Sequence, residues 1–531
     1  MVPLPDLSRR TVLAGAAGAA ALSVAVPGSA FASAPARTPA RTTAGTAAVT
    51  DPFTLGVASG DPLPDGMVLW TRLAPNPTAA DGLGGMPARP VQVEWELAAD
   101  ERFSRIERRG VVTAVPEAAH SVHVELAGLR PGAEFFYRFR AEGAISPVGR
   151  TRTTPNPNAM GPPLTMCFAS CSNYAAGFFT AYSALAADEP DLILHLGDYQ
   201  YEGTSGANAV RQVAGPETTT LAGYRQRHAQ YKTDADLQAA HAVAPWLVVW
   251  DDHELDNNWA DEIPQDPQRQ PREAFLARRA AAFQAYYENM PLRTASVPRG
   301  IDMQLYRRFS WGQLATFHML DTRQYRADQA CGDGSRIDCA ERLDPARSIT
   351  GAEQEAWLLD GFRRSTARWD VLGQQVYFAE RDFETGPQQR LSMDGWDGYA
   401  ASRDRITRGW VDAGVRNSVV LTGDVHRHYA SELKLDYADP TGPSVGTELV
   451  CTSITSGGDG SDRTAFTDTV EAENPHTVFT NSRRGYVRTR FTGESVVADF
   501  RVVQAVTTPG SPVSTRASFV IPDRDPGLNP A

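Results

Sequence analysis

The hydrophobic pattern changes character once along the chain. From Phe53 to about Thr154, short runs alternate apolar and polar positions: GMVLWTRL, VQVEWELA, SVHVELAGL and EFFYRFRAEG. Period-two alternation marks strands with one buried face, and several such strands separated by turns predict a small antiparallel β-sandwich over 51–154. TTPNPNAMGPP, from Thr153 to Pro163, is a turn-rich boundary. Beyond it, runs that are apolar throughout (LTMCFAS, DLILHLG, WLVVW, QLATFHMLD, SVVLTG) alternate with helical segments such as PREAFLARRAAAFQAYYENMP. Strands without alternation are buried on both faces, so residues 160–525 predict an α/β domain whose sheet is covered by helices. TGAEQEAWLLDGFRR has Thr350 and Glu353 at capping-box spacing. YVRTRF and VVADFRVV read as closing antiparallel strands. Tyr224, Arg225, His228 and Tyr231 fit one helix and read as packing and surface, and His195 as a core residue.

The N-terminus has the pattern of a targeting segment. LSRRTVL carries Arg9 and Arg10, a weakly apolar Ala/Gly-rich run follows, and Ala30 to Ala32 form a small-residue cleavage site. Residues 1–32 therefore predict a twin-arginine export signal, with an ordinary secretory signal as the alternative, and 33–50, rich in Ala, Thr and Pro, a linker. Later segments lack the run of about 18 apolar residues that a membrane span needs, so the expectation is a secreted, extracytoplasmic protein without a span. The formal net charge of -12 opposes a nucleic-acid surface and suits carboxylate-rich sites. Of five cysteines, Cys331 and Cys339 bracket a polar loop and predict a disulfide in an oxidising compartment.

The candidate chemistry sits where apolar strands stop. CFASCSNY ends with Cys171 and Asn173, LHLGDYQY with Asp198 and Tyr201, LVVWDDHELDNNW with Asp251, Asp252, His253, Asp256, Asn257 and Asn258, and VVLTGDVHRHY with Asp424, His426 and His428. Ligands of open α/β sheets lie at the carboxyl ends of strands, so these residues are expected to converge. Clustered carboxylates repel unless a cation neutralises them. A thiolate with a phenolate suits ferric iron, while carboxylate and amide oxygens suit calcium, magnesium or manganese. Two ions about 3.5–4 Å apart that share a carboxylate form a hydrolytic clamp. Asp198 would bridge such ions and Tyr201 would bind the trivalent one.

Together these motifs resemble the PhoD-type alkaline phosphatases and related phospholipase D enzymes, within the calcineurin-like metallophosphoesterases. The stretches RRFSWGQLATFHMLDTRQYR and LVCTSITS are similar to that family too. The resemblance implies an α/β metallophosphoesterase-type sheet sandwich covered by helices, preceded by an all-β domain, immunoglobulin- or fibronectin-like. It implies that Cys171, Asp198, Tyr201 and His426 hold Fe3+, that Asp198, Asp252 and Asp424 hold Ca2+, one ion or two, with Asn257 a further ligand, and that His253 is the catalytic histidine. Water made acidic by the cations would attack phosphorus in line, and His253 would protonate the leaving oxygen.

Blander roles compete at each position. Cys171 could be a buried thiol, Tyr201 a strand-edge cap, and the Gly-Asp steps plain turns. His428 and Asp251 read as structural, and Arg323 as a buried ion pair in preference to a phosphate ligand. The leading expectation is an exported phosphomonoesterase. A phosphodiesterase or phospholipase D with the same metals is the alternative, and a binding protein with structural metals a third reading. Partners would be small phosphate esters and the Tat export machinery. The sequence leaves open whether the tail from Thr507 covers the pocket.

Overall fold

The computed structural model describes residues 51–531; the twin-arginine signal and the linker expected over 1–50 lie outside the described residues. Two large sheets carry the architecture. The first has ten strands, in the order Ser121–Glu125, Gly66–Arg72, Val57–Leu63, Trp246–Val249, Leu192–Leu196, Leu164–Ala169, Gly485–Phe491, Ser495–Val503, Val513–Pro522 and Asn529–Pro530. The second has seven: Arg307–Trp311, Ala315–Met319, Trp369–Gly373, Ser418–Thr422, Gly446–Val450, His428–Leu433 and Thr477–Asn481. In both, the central strands run parallel, as unbroken apolar runs require.

One hydrophobic core lies between the sheets, uniting Phe168, Leu194 and Val248 of the first with Phe317, Val371, Val419 and Leu449 of the second. Helices cover the outer faces. Tyr182, Leu237, Tyr224 and Phe283 pack on the first sheet; Leu358, Phe362, Ile406 and Trp410 pack on the second. Among the described residues no helix is long and apolar enough to cross a membrane.

The N-terminal strands form two layers, but not a free-standing sandwich. Val91–Ala98, Ile106–Ala114, Glu134–Ala141, Ala144–Ile145 and Gly149–Arg152 make a separate sheet. Its apolar face meets Val57, Met67, Leu69, Val122 and Val124 in a second core. Those partners belong to the large sheet, because Val57–Leu63 pairs in parallel with the strand Trp246–Val249 at Gly60 and Trp246. Period-two alternation reports a buried face and carries no information on which distant strand completes the layer.

Two smaller expectations are corrected. Thr350 is the N-cap of helix Gly351–Arg364, but its backbone is right-handed helical and its side chain makes no capping bond; an extended N-cap is needed to aim the hydroxyl at the third helical N–H. The helix Leu221–Lys232 does not face solvent: Tyr224 through Lys232 are all buried. The disulfide Cys331–Cys339 is formed. The tail after Thr507 supplies the strand Val513–Pro522, and Asp523 then binds Arg416, Arg368 and Asn417. Arg416 and Asn417 precede the strand Ser418–Thr422, so this contact lies at the end of the sheet opposite the candidate ligands.

Candidate metal centre

Four of the candidate residues follow parallel strands in left-handed backbone, where side chains other than glycine are uncommon: Cys171 (φ 60°), Asp198 (φ 54°), Asp424 (φ 61°) and His426 (φ 54°). Such strain persists where the surroundings impose it, and it clusters at functional sites. The glycines before the two aspartates are required by close approach. A Cβ on Gly197, itself at φ 103°, would stand 2.4 Å from the Asp251 Cβ. A Cβ on Gly423 would stand 2.7 Å from the Ser170 side chain. The Gly-Asp steps thus let four strand ends close on one another in two pairs.

Two groups of side chains could each hold a metal ion. In one, donor atoms of Cys171, Asp198 and His426 all lie within 4.8 Å of one another; in the other, those of Asp198, Asp252 and His253 do. Asp198 belongs to both. The Tyr201 hydroxyl donates to Asp198 Oδ2 at 2.9 Å and stands 3.2 Å from His426 Nε2, which places it beside the first group. Asp424 lies outside both groups; its carboxylate faces Arg323 at 3.9 Å, and Arg323 stands 3.6 Å from Asp252. Asn257 enters through its backbone N–H, which donates to Glu202 at 3.2 Å. His428 turns away, its Nδ1 accepting from the Thr452 N–H at 3.1 Å.

The electrostatics fit a cation. Burial pushes the Asp198 carboxyl well above its ordinary range, and neighbouring Asp252 pushes it further. Burial, then Asp198, pushes the Cys171 thiol up as well. Burial with Asp394 and Asp252 raises Asp424 to about 7 against the pull of Arg323. Burial lowers His426 to about 3, leaving a neutral imidazole suited to ligation. A thiol, a carboxylate, a phenol and an imidazole make the first set mixed and electron-rich, whereas carboxylates dominate the second.

Several residues that hold this geometry were not singled out in the sequence. Glu254, buried, accepts backbone N–H bonds from Asp198 at 3.1 Å and Asp251 at 2.8 Å, so it fixes both turns at once. Glu202 Oε2 lies 2.7 Å from His253 Nδ1. The Tyr201 ring packs on the His253 ring with centroids 4.1 Å apart. Burial opposes the charge of His253, but Asp252, Glu202 and Asp198 outweigh it and hold its pKa well above the usual value. Arg323, read from the sequence as a buried ion pair, is one: it binds Asp251 at 2.5 Å and grips Asp394 through two bonds of 2.9 and 3.1 Å. Ser456 donates to the Tyr201 oxygen at 2.6 Å. Glu254 sits inside the quoted DDHELDNNW, Glu202 directly follows LHLGDYQY, and Ser456 closes LVCTSITS; Asp394 lies outside every quoted stretch.

Comparison with known proteins identifies the family. Residues 166–500 match the family described as PhoD-like phosphatase, and residues 38–155 match PhoD-like phosphatase, N-terminal domain. Alkaline phosphatase D of Bacillus subtilis (strain 168) is 51% identical over 482 residues, covering 90% of this chain and 82% of that protein. A solved structure of PhoD superposes with a TM-score of 0.88 at 51% identity, over 91% of this chain and 92% of that one. GAP50, the anchor in the inner membrane complex of Plasmodium, is 12% identical over 66% of this chain and 88% of its own, with a TM-score of 0.33, too low to carry an argument. The chain belongs to the PhoD-like phosphatase family.

Proposed function

We propose that this chain is a metal-dependent alkaline phosphatase acting on phosphate monoesters. Its family membership and its 51% identity to alkaline phosphatase D make phosphatase its activity. In this reading Cys171, Asp198, Tyr201 and His426 hold Fe3+. Asp198, Asp252 and Asp424, with Asn257, hold one or two Ca2+ ions. The observation that carries the reading is that Asp198 is shared by the two donor groups. Ions bound there would supply positive charge to the phosphoryl oxygens and acidify water.

The chain's own residues supply the rest. Glu202 fixes the tautomer and orientation of His253 through Nδ1. The other ring nitrogen is then free to give its proton to the leaving oxygen. Arg323 binds Asp251 and Asp394 and approaches Asp252, lowering the repulsion among carboxylates packed this closely. The left-handed turns at Asp198 and Asp424 aim carboxylates that an extended backbone would carry elsewhere.

Export through the twin-arginine route belongs to the same proposal, supported by Arg9 and Arg10 and by a disulfide suited to an oxidising compartment. Replacing both arginines with lysine is expected to retain precursor in the cytoplasm; undiminished export would favour the ordinary secretory route.

The deciding experiment is elemental analysis of the purified protein with its visible spectrum. Iron, calcium and an absorption band that disappears in Tyr201→Phe support the assignment. Protein free of both metals yet fully active overturns it. Rates on a mono-ester and a bis-ester of one phenol, measured on the same sample, separate monoesterase from diesterase.

A further inference from the structure

The helix Leu221–Lys232, LAGYRQRHAQYK, has the composition of a surface helix, yet nine consecutive residues of it are buried. Burying polar side chains is unfavourable unless each finds a partner. For Arg227, Gln230 and Tyr231 the partners are backbone groups of the loops around the metal centre, whereas Arg225 pairs with Glu288. Gln230 Nε2 donates to the Gln212 carbonyl at 2.9 Å while its Oε1 accepts from the Ala214 N–H at 2.8 Å. Arg227 donates to the carbonyls of Tyr201, of Gly203 at 2.7 Å and of Pro216 at 3.2 Å. The Tyr231 oxygen accepts from the N–H of Tyr201 at 3.2 Å and from the N–H of Tyr174 at 3.0 Å.

Two of these contacts close on one residue. Arg227 and Tyr231 are four apart and share a helix face; one holds the carbonyl of Tyr201, the other its N–H. With both backbone groups fixed, Tyr201 keeps only its side-chain torsions, and these are restricted by the packing of its ring on His253. The Tyr231 oxygen also joins the loop that follows Cys171, through Tyr174, to the loop that follows Asp198. A single phenol therefore sets the spacing between the segments that deliver the thiol and the phenol to the first donor group.

We propose that Arg227 and Tyr231 are positioning residues for the metal centre, holding the Tyr201 hydroxyl against Asp198 and His426. This rests on the assignment of Tyr201 as a ligand. Substituting either residue leaves the donor groups themselves intact; Arg227 reaches the centre through Tyr201, and Tyr231 through Tyr201 and, by way of Tyr174, the loop after Cys171. A displacement of about 1 Å at a reacting centre costs up to about 100-fold in rate.

The test is a double-mutant cycle on the full-length enzyme as purified, reading kcat, KM, iron per chain and the visible band. Tyr231→Phe is expected to lower kcat at least about tenfold with KM within about twofold, and to shift or weaken the band. In a Tyr201→Phe background the same substitution is expected to cost less than about twofold more. Equal losses in both backgrounds, or no loss in either, would overturn the positioning role while leaving the ligand assignment standing. A Tyr201→Phe enzyme with full rate, iron and band would overturn both. Arg227→Lys keeps the charge and one donor and is run through the same cycle, so the result stands even if Tyr231→Phe accumulates poorly.

Discussion

Glu202 Oε2 and His253 Nδ1 lie 2.7 Å apart, and the other Glu202 oxygen accepts the Asn257 N–H at 3.2 Å. The carboxylate is thus anchored to the loop whose histidine it orients. Burial opposes protonation of His253, and Asp252, Glu202 and Asp198 favour it. A proton donor works below its pKa, so activity is lost as pH rises through that value. Glu202→Gln removes one of the groups that raise it. The alkaline limb of the kcat profile is expected to move to lower pH, with kcat down about 100-fold. An unshifted limb would show that His253 does not serve as the donor.

Asp198 is the residue common to both donor groups. Asp198→Asn is expected to deplete both metals and abolish activity, whereas Asp252→Asn depletes only the calcium of the second group. Elemental analysis of both variants checks this. Iron retained in full by Asp198→Asn would contradict the shared role.

Arg323 is fully buried among Asp251, Asp252, Asp394 and Asp424. Its charge is held firmly, since burial opposes it but Asp251 and Asp394 outweigh burial. Arg323→Met leaves carboxylates buried without a partner and is expected to cost about 3–5 kcal/mol in urea unfolding. Arg323→Lys is expected to recover little of this, because an ammonium cannot reproduce the two-pronged grip on Asp394.

His195 is buried beside the Tyr182 hydroxyl, 2.9 Å from its Nε2, and burial followed by Lys232 lowers its pKa to about 3. Unfolded, it titrates near the ordinary value of 6.5. Between those values the unfolded chain binds the extra proton, so this residue's share of stability is intact above pH 6.5 and is lost as pH falls toward 3. His195→Gln is expected to flatten the acid limb of stability by about 1.4 kcal/mol per pH unit below 6. Parallel curves for wild type and variant would refute the assignment.

The strand ends were readable because a doubly buried strand is an unbroken apolar run, and a Gly followed by a charged residue announces where it leaves the core. That is why LHLGDYQY and VVLTGDVHRHY point to the site. The partners of Arg323 were not readable, since an ion pair between Arg323 and Asp394 joins segments with no shared periodicity. The helix Leu221–Lys232 misled for a related reason. Polar composition reads as solvent exposure, but here loop backbone around Arg227, Gln230 and Tyr231 and the Glu288 carboxylate beside Arg225 replace solvent, and bonds to such distant groups leave no mark on local sequence.

The ten-stranded sheet has Ser121–Glu125 at one margin and Asn529–Pro530 at the other. Its middle is laid down from segments between them. During synthesis the strand Val513–Pro522 leaves the ribosome after the strands it joins, so the growing polypeptide carries an open, unpaired hydrogen-bonding row until that strand has emerged. Such rows recruit other chains. A nonsense product ending anywhere before residue 513 would keep that row exposed and is therefore a substrate for aggregation or proteolysis, not a smaller working enzyme.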